Sequence, residues 1–243
     1  MIRRLFLTAI MAGFISGSII AVIYQFTTVP LIHFAETFEN KEKNESASMN
    51  KTIYSEAAII LVHGAKKYQN NAPWEPENEF QRMFYTTLTT IFTGIGFALL
   101  LVSGMVMKNQ AVDARRGVLW GACGFLAFTL APAMGLPPEL PGTAAGDIIA
   151  RQTWWISATV AAIVGLWLLV FSESVIYRTI GSIIIIIPHI IGAPHPEAFS
   201  TNGPPAEIAA KFVAVSITVS GLFWIFLGGF SGYFFARLDK STN

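Results

Sequence analysis

The sequence predicts an all-α fold: a polytopic bundle of transmembrane helices with five full spans and one short, proline-broken helix that is either a sixth crossing or a re-entrant element. Three observations lead there. The 243 residues are 53% hydrophobic and 13% charged, against about 25% charged in ordinary soluble domains, which is more apolar surface than a soluble chain of this length can hide. Five stretches run for about 18 or more residues without Asp, Glu, Lys or Arg, long enough to cross a hydrocarbon core of ~30 Å at 1.5 Å rise per residue. Arginine and lysine gather in alternate links between those stretches, as they do in cytoplasmic loops.

The first stretch, Leu5–Phe26, follows Arg3 and Arg4 in the manner of a signal peptide. Its charge-free run continues to Ala35, far beyond the roughly 7–15 residues of a signal h-region, and no A-x-A site closes it. It therefore reads as a retained span. Next comes the one sizeable extramembrane insertion, at about 27–82, within a single integral membrane domain covering 1–243. It opens at Pro30, carries mixed charges from Glu39 to Lys51, holds a candidate amphipathic helix at Tyr54–Tyr68, and closes on Pro73, Trp74 and Pro76.

Phe84–Met107 is the second span and Gly117–Met134 the third, joined by a link containing Lys108, Arg115 and Arg116. The link after the third span has only Arg151 beside Glu139 and Asp147. Gln152–Ser172 and Phe212–Ala236 complete the five. Between them Thr179–Pro196 is free of charge but interrupted by Pro188 and Pro194, leaving a helical part from roughly Ile180 to Ile191 that is short for a span. The positive charges place the N-terminus and the link at Lys108 in the cytoplasm, and Glu139 and the 27–82 insertion outside. They favour six crossings, with five and a re-entrant element close behind.

The totals exclude several functions. A net charge of +1 with no basic stripe gives nucleic acid no footing. A single cysteine, Cys123, allows neither a disulfide framework nor a thiolate cluster. No P-loop, G-x-G-x-x-G, H-E-x-x-H or G-x-S-x-G motif occurs, so the chain is not expected to be an enzyme, and transport through it would not be driven by its own ATP hydrolysis. Gly94, Gly96, Gly228 and Gly229 lie inside apolar helices, where small residues serve close helix packing.

What remains is a set of polar groups at membrane depth or its rim, where ionisable residues are costly and face a bundle interior. Thr86, Thr89, Thr90 and Thr93 recur every three or four residues as a narrow stripe that either bonds its own helix or lines a path. Glu139 stands between prolines that stiffen the backbone and remove donors. Asp147 and Arg151 have the spacing of an intrahelical ion pair, followed by Trp154 and Trp155 as an interfacial belt. His189 and His195 flank a proline-rich element, and imidazole with carboxylate suits Co2+, Ni2+ or Zn2+. His33 with Glu36, and His63, are lesser candidates.

Several of these pieces together resemble the CbtA family. They are Glu77-Asn78 with Gln81-Arg82, the run Ala131–Gly142 (APAMGLPPELPG), Arg151-Gln152 with Trp154-Trp155, and Pro188–Pro196 (PHIIGAPHP). The likeness extends over almost the whole chain and is weakest over 36–71. It implies the membrane subunit of a bacterial cobalt transporter in the inner membrane, with uptake linked to vitamin B12 synthesis, and a small CbtB-type partner with one span and a histidine-rich tail. The family is usually drawn with five spans. The ligand assignments come from the chemistry instead: Glu139, His189, His195 and Asp147 as metal contacts, no resident cofactor, and Co2+ as the cargo with Ni2+ as the alternative. Thr86, Thr90 and Thr93 would line the route, while Glu77, Arg82 and Arg151 lie at its rim, the two arginines fixing loops by ion pairs. Two other classes stay open: a non-conducting scaffold for a histidine-rich partner, and a membrane enzyme using Glu139 and His189 as an acid/base pair.

Overall fold

A computed structural model of the chain describes residues 1–38, 76, 78–108, 112–144, 146–196 and 203–240. The described residues are mostly helical, without a strand. Helix α1 is Ile2–Phe26, α2 covers residues 28–38, α3 is Glu79–Met107, α4 is Ala114–Phe125, and a π-helical turn at Leu126–Leu130 leads into α5, Ala131–Ala133. Then follow α6 (Ile148–Phe171), α7 (Val175–Ile191) and α8 (Ala206–Lys240). Five of these segments are long and apolar enough to cross a membrane, α4 through α5 counting as one. Their large apolar side chains, such as Phe14, Phe92, Val160 and Ile186, are exposed on the outside of the bundle, as lipid contact requires.

Polar starts and close backbone contacts fix these elements. Asn78 accepts from the Gln81 N–H at 2.9 Å, Asp113 from Arg116 N–H at 2.8 Å, and Asp147 from Ala150 N–H at 2.8 Å, each satisfying a donor that has no partner within its helix. Small residues set the packing. A Cβ on Gly13 would come within 2.4 Å of the Ile95 backbone, one on Gly117 within 2.2 Å of the Gly228 carbonyl, and one on Gly165 within 2.6 Å of the Gly181 carbonyl. The pairs α1–α3, α4–α8 and α6–α7 are thus joined at backbone distance, as in small-xxx-small crossings. Gly94 and Gly228 take part as their positions in apolar helices suggest; Gly96 has open space at its Cβ position.

The π-turn has a local cause. Pro132 has no N–H and its ring excludes the carbonyl four residues back, so the helix widens by one residue per turn just before it. Pro30 acts similarly at the α1–α2 break, sitting in the first turn of α2, where a missing N–H costs nothing.

That break corrects the expected organisation of 27–82: the chain does not leave the bundle at Pro30 but continues as α2, and α3 begins at Glu79, ahead of Phe84. The candidate helix at Tyr54–Tyr68, together with Glu77, Trp74 and His63, lies outside the described residues.

The short helix is also longer than the helical part expected from roughly Ile180 to Ile191. α7 starts at Val175 and stays helical through Pro188. It runs antiparallel to α6, with Gly181 against Gly165 and Leu168 near its start and the Pro188 carbonyl accepting from Trp154 Nε1 at 3.1 Å near its end. It therefore returns the chain to the end of the bundle where α6 began. α8 runs back, and Asp239 meets Arg4 while Arg4 Nε donates to the Phe235 carbonyl at 2.9 Å. Both chain ends sit at one end of the bundle; Glu139, His189 and α2 sit at the other.

Candidate functional site

The end opposite the termini is built around Leu140 and Trp154. Leu140 is buried in a cluster with Leu31 and Ala35 of α2 and Phe212 of α8, which anchors the connector between α5 and α6. Past it, Gly142 adopts φ 79°, a left-handed conformation open to glycine without penalty, and Thr143 donates from N and Oγ1 to the Leu140 carbonyl at 3.3 and 2.7 Å. Trp154 is buried, and a Cβ on Gly135 would lie 2.2 Å from its ring and 3.0 Å from Ala193. The indole thus ties together the start of the connector, α6 and the segment after α7. A Cβ on Gly146 would stand 3.2 Å from the His195 carbonyl, so the end of the connector touches that segment too.

On this frame Glu139 accepts from Arg151 Nη2 at 2.5 Å. The expected pair of Asp147 with Arg151 does not form. Asp147 is the N-cap of α6 and its carboxylate is turned onto the Ala150 N–H, which leaves Arg151 to reach back across the connector. His189 is half-buried with its ring edge-on to Trp154 at 5.8 Å, and His195 and Asp147 are exposed. The sequence candidates are therefore gathered at one end of the bundle, but among the described residues no three His, Cys, Asp or Glu side chains group as a metal would need.

A second polar region lies beside it, a cavity of about 980 Å³ between α1, α2, α3 and α8 lined by Gln25, Thr28, His33, Glu79, Arg82 and Thr86 among others. Arg82 donates to Glu36 on α2 at 2.6 Å, and His33 lies 3.4 Å from the other oxygen of that carboxylate. Gln25, Thr28, Glu79 and Ser216 were not legible as lining residues, because only the α1–α2 break brings their turns together. The threonine stripe divides. Thr86 faces this cavity and its carbonyl accepts the Thr90 hydroxyl at 2.7 Å, whereas Thr89 and Thr93, further along α3, are exposed and do not line it. Deeper, Thr129 of the π-turn shares a hydrogen bond with Ser220 at 2.9 Å and accepts from Trp224 Nε1 at 3.2 Å, an interior polar group whose only sequence signal was the proline three residues on.

Five helices of membrane-spanning length with a lipid-facing exterior define a multi-pass integral membrane protein. The chain belongs to the CbtA family, described as a probable cobalt transporter subunit, whose profile matches residues 2–236. No curated protein and no solved structure matches it.

Proposed function

We propose that the chain is the membrane subunit of a Co2+ uptake system, feeding vitamin B12 synthesis, in the inner membrane of a bacterium. The N-terminus lies in the cytoplasm and the Glu139–His195 end faces outward, because Arg3, Arg4, Lys108, Arg115, Arg116 and Arg178 all belong to the opposite end. Co2+ is the cargo, with Ni2+ the nearest alternative for the same donors. One observation carries the reading: the connector bearing Glu139 and the segment bearing His189 and His195 close on the same two turns of α6. A cation arriving there would have to draw one carboxylate and two imidazoles together, since among the described residues they do not converge. The carboxylate is held by Arg151, so Glu139 engages the ion by exchanging that guanidinium for it, while Asp147 lowers the local potential.

These donors fall short of the four to six that Co2+ prefers, which supports a shared site completed by a small single-span, histidine-rich subunit of the CbtB type. Among the described residues the absence of a convergent trio also favours a second reading, in which this chain scaffolds the partner and conducts nothing. Purified protein in liposomes separates the two. Co2+ flux requiring the partner and abolished by His189→Ala with His195→Ala supports the shared site; flux with the partner that ignores both substitutions supports the scaffold.

A further inference from the structure

We propose that the cavity at the α1–α2 break captures a divalent transition-metal ion, with His33 and Glu36 as its protein ligands and water as the remainder. This site rests on the reading of Co2+ as the cargo, and stands apart from Glu139 and His189. The helix break creates it. Thr27 leaves helical geometry at φ −120° and ψ −69°, and the flanking Gln25, Thr28 and Pro30 line the cavity. Irregular backbone at membrane depth persists where it is buried in protein or lines water. The volume of about 980 Å³ exceeds the roughly 200 Å³ of an ion with six waters at ~30 Å³ each.

Geometry and charge choose the occupant. His33 Nδ1 lies 3.4 Å from Glu36 Oε2, while Arg82 holds the other oxygen, Oε1, at 2.6 Å. Two donors at the bond lengths of a first-row divalent ion, about 2.1 Å, stand ~3.0–3.4 Å apart at octahedral to tetrahedral angles. The observed separation therefore admits one ion shared by the imidazole and the free carboxylate oxygen, with Arg82 keeping Glu36 in place. Among the described residues, His33 is the only imidazole at ion-pair distance from a carboxylate. Glu79, in the first turn of α3, also lines the cavity and forms no ion pair among the described residues. Two carboxylates there outweigh the single guanidinium of Arg82, which favours a cation over an anion. Imidazole beside carboxylate then favours a transition metal over Ca2+ or Mg2+. Only two protein ligands meet, as the lack of any group of three among the described residues requires. Such weak, partly hydrated binding suits an ion that must also leave.

The test is NMR of the full chain in detergent, labelled at histidine and titrated with CoCl2, whose paramagnetic ion displaces the ring signals of any imidazole it binds. One displaced set is expected that is absent in His33→Ala and persists in His189→Ala with His195→Ala. Glu36→Gln, which still offers Arg82 an acceptor, should raise the Co2+ concentration for half-saturation of that set by at least roughly ten-fold, the loss that even an outer-shell partner causes. Displaced signals all unchanged in His33→Ala would overturn the capture site; their loss in His189→Ala with His195→Ala would at the same time uphold the proposed function. Half-saturation unmoved by Glu36→Gln would also overturn the capture site. So would the absence of any displaced signal in the unaltered chain, an outcome that spares the Glu139 end because its donors are completed by the partner.

Discussion

Arg151 donates to Glu139 across the α5–α6 connector at 2.5 Å and leaves Asp147, four residues before it, to cap the helix. The choice follows from backbone geometry. An N-cap residue has non-helical dihedrals, here φ −52° and ψ 127°, which turn its carboxylate onto the first turn's N–H groups and away from the side chain one turn up. Arg151 then finds its acid on the connector that Leu140 anchors. The pair is 26% and 33% exposed, so its contribution to stability stays within about 1 kcal/mol. Its importance is chemical, since the site's carboxylate begins occupied.

If a cation displaces Arg151 from Glu139, removing the guanidinium removes a competitor worth up to about 1 kcal/mol. Arg151→Gln should then tighten Co2+ binding by up to roughly five-fold, and Glu139→Gln should weaken it, both measured by calorimetry on the subunit with its partner. Equal affinities in both variants would take Glu139 off the route.

Trp154 Nε1 donates to the Pro188 carbonyl inside the apolar bundle. Trp154→Phe keeps the ring and loses the bond, for about 1 kcal/mol, roughly 2–4 °C in melting temperature for a chain of this size. The loss should be accompanied by faster proteolysis after Gly192, where the segment bearing His195 is released. A melting temperature and cleavage rate both unchanged would show that the indole does not hold that segment.

The glycine contacts predict a contrast. Gly117→Ala forces a methyl against the Gly228 carbonyl and should cost on the order of 1–3 kcal/mol, seen as a melting temperature lower by several degrees. Gly96→Ala meets nothing within 4 Å and should leave stability unchanged or slightly raised, since alanine favours helix. Equal effects would mean that α4 and α8 are not in backbone contact.

Because α7 returns to the end where α6 began, reporters fused to the N-terminus and the C-terminus should report the same side of the membrane. Opposite sides would mean five crossings and an α7 that does not traverse.

The spans were legible because charge-free length at 1.5 Å per residue is nearly sufficient to define a membrane helix, and the predicted spans lie inside the observed ones or end one residue past them, at Met134 and Ser172. What escaped was set by tertiary contact. Val175–Thr179 belong to α7 although the charge-free run began only at Thr179, and Arg178 Nε within them reaches back to the Ser172 carbonyl at 2.9 Å. Pro30 looked like the opening of the extramembrane insertion but lies in the first turn of α2. At the site, the sequence marked Glu139, Arg151, His189 and His195 as residues of one region, but the i, i+4 spacing suggested the wrong acid for Arg151. The capping role of Asp147 competes with that pairing and depends on where α6 begins, which spacing alone does not disclose.

In the proposed function, Co2+ passes the end of the bundle bearing Glu139, His189 and His195. Uptake of radioactive cobalt by cells expressing the chain with its partner tests it most directly, with each variant compared at equal membrane level. Most uptake should be lost in Glu139→Ala and in His189→Ala with His195→Ala. Undiminished uptake in both variants would contradict it.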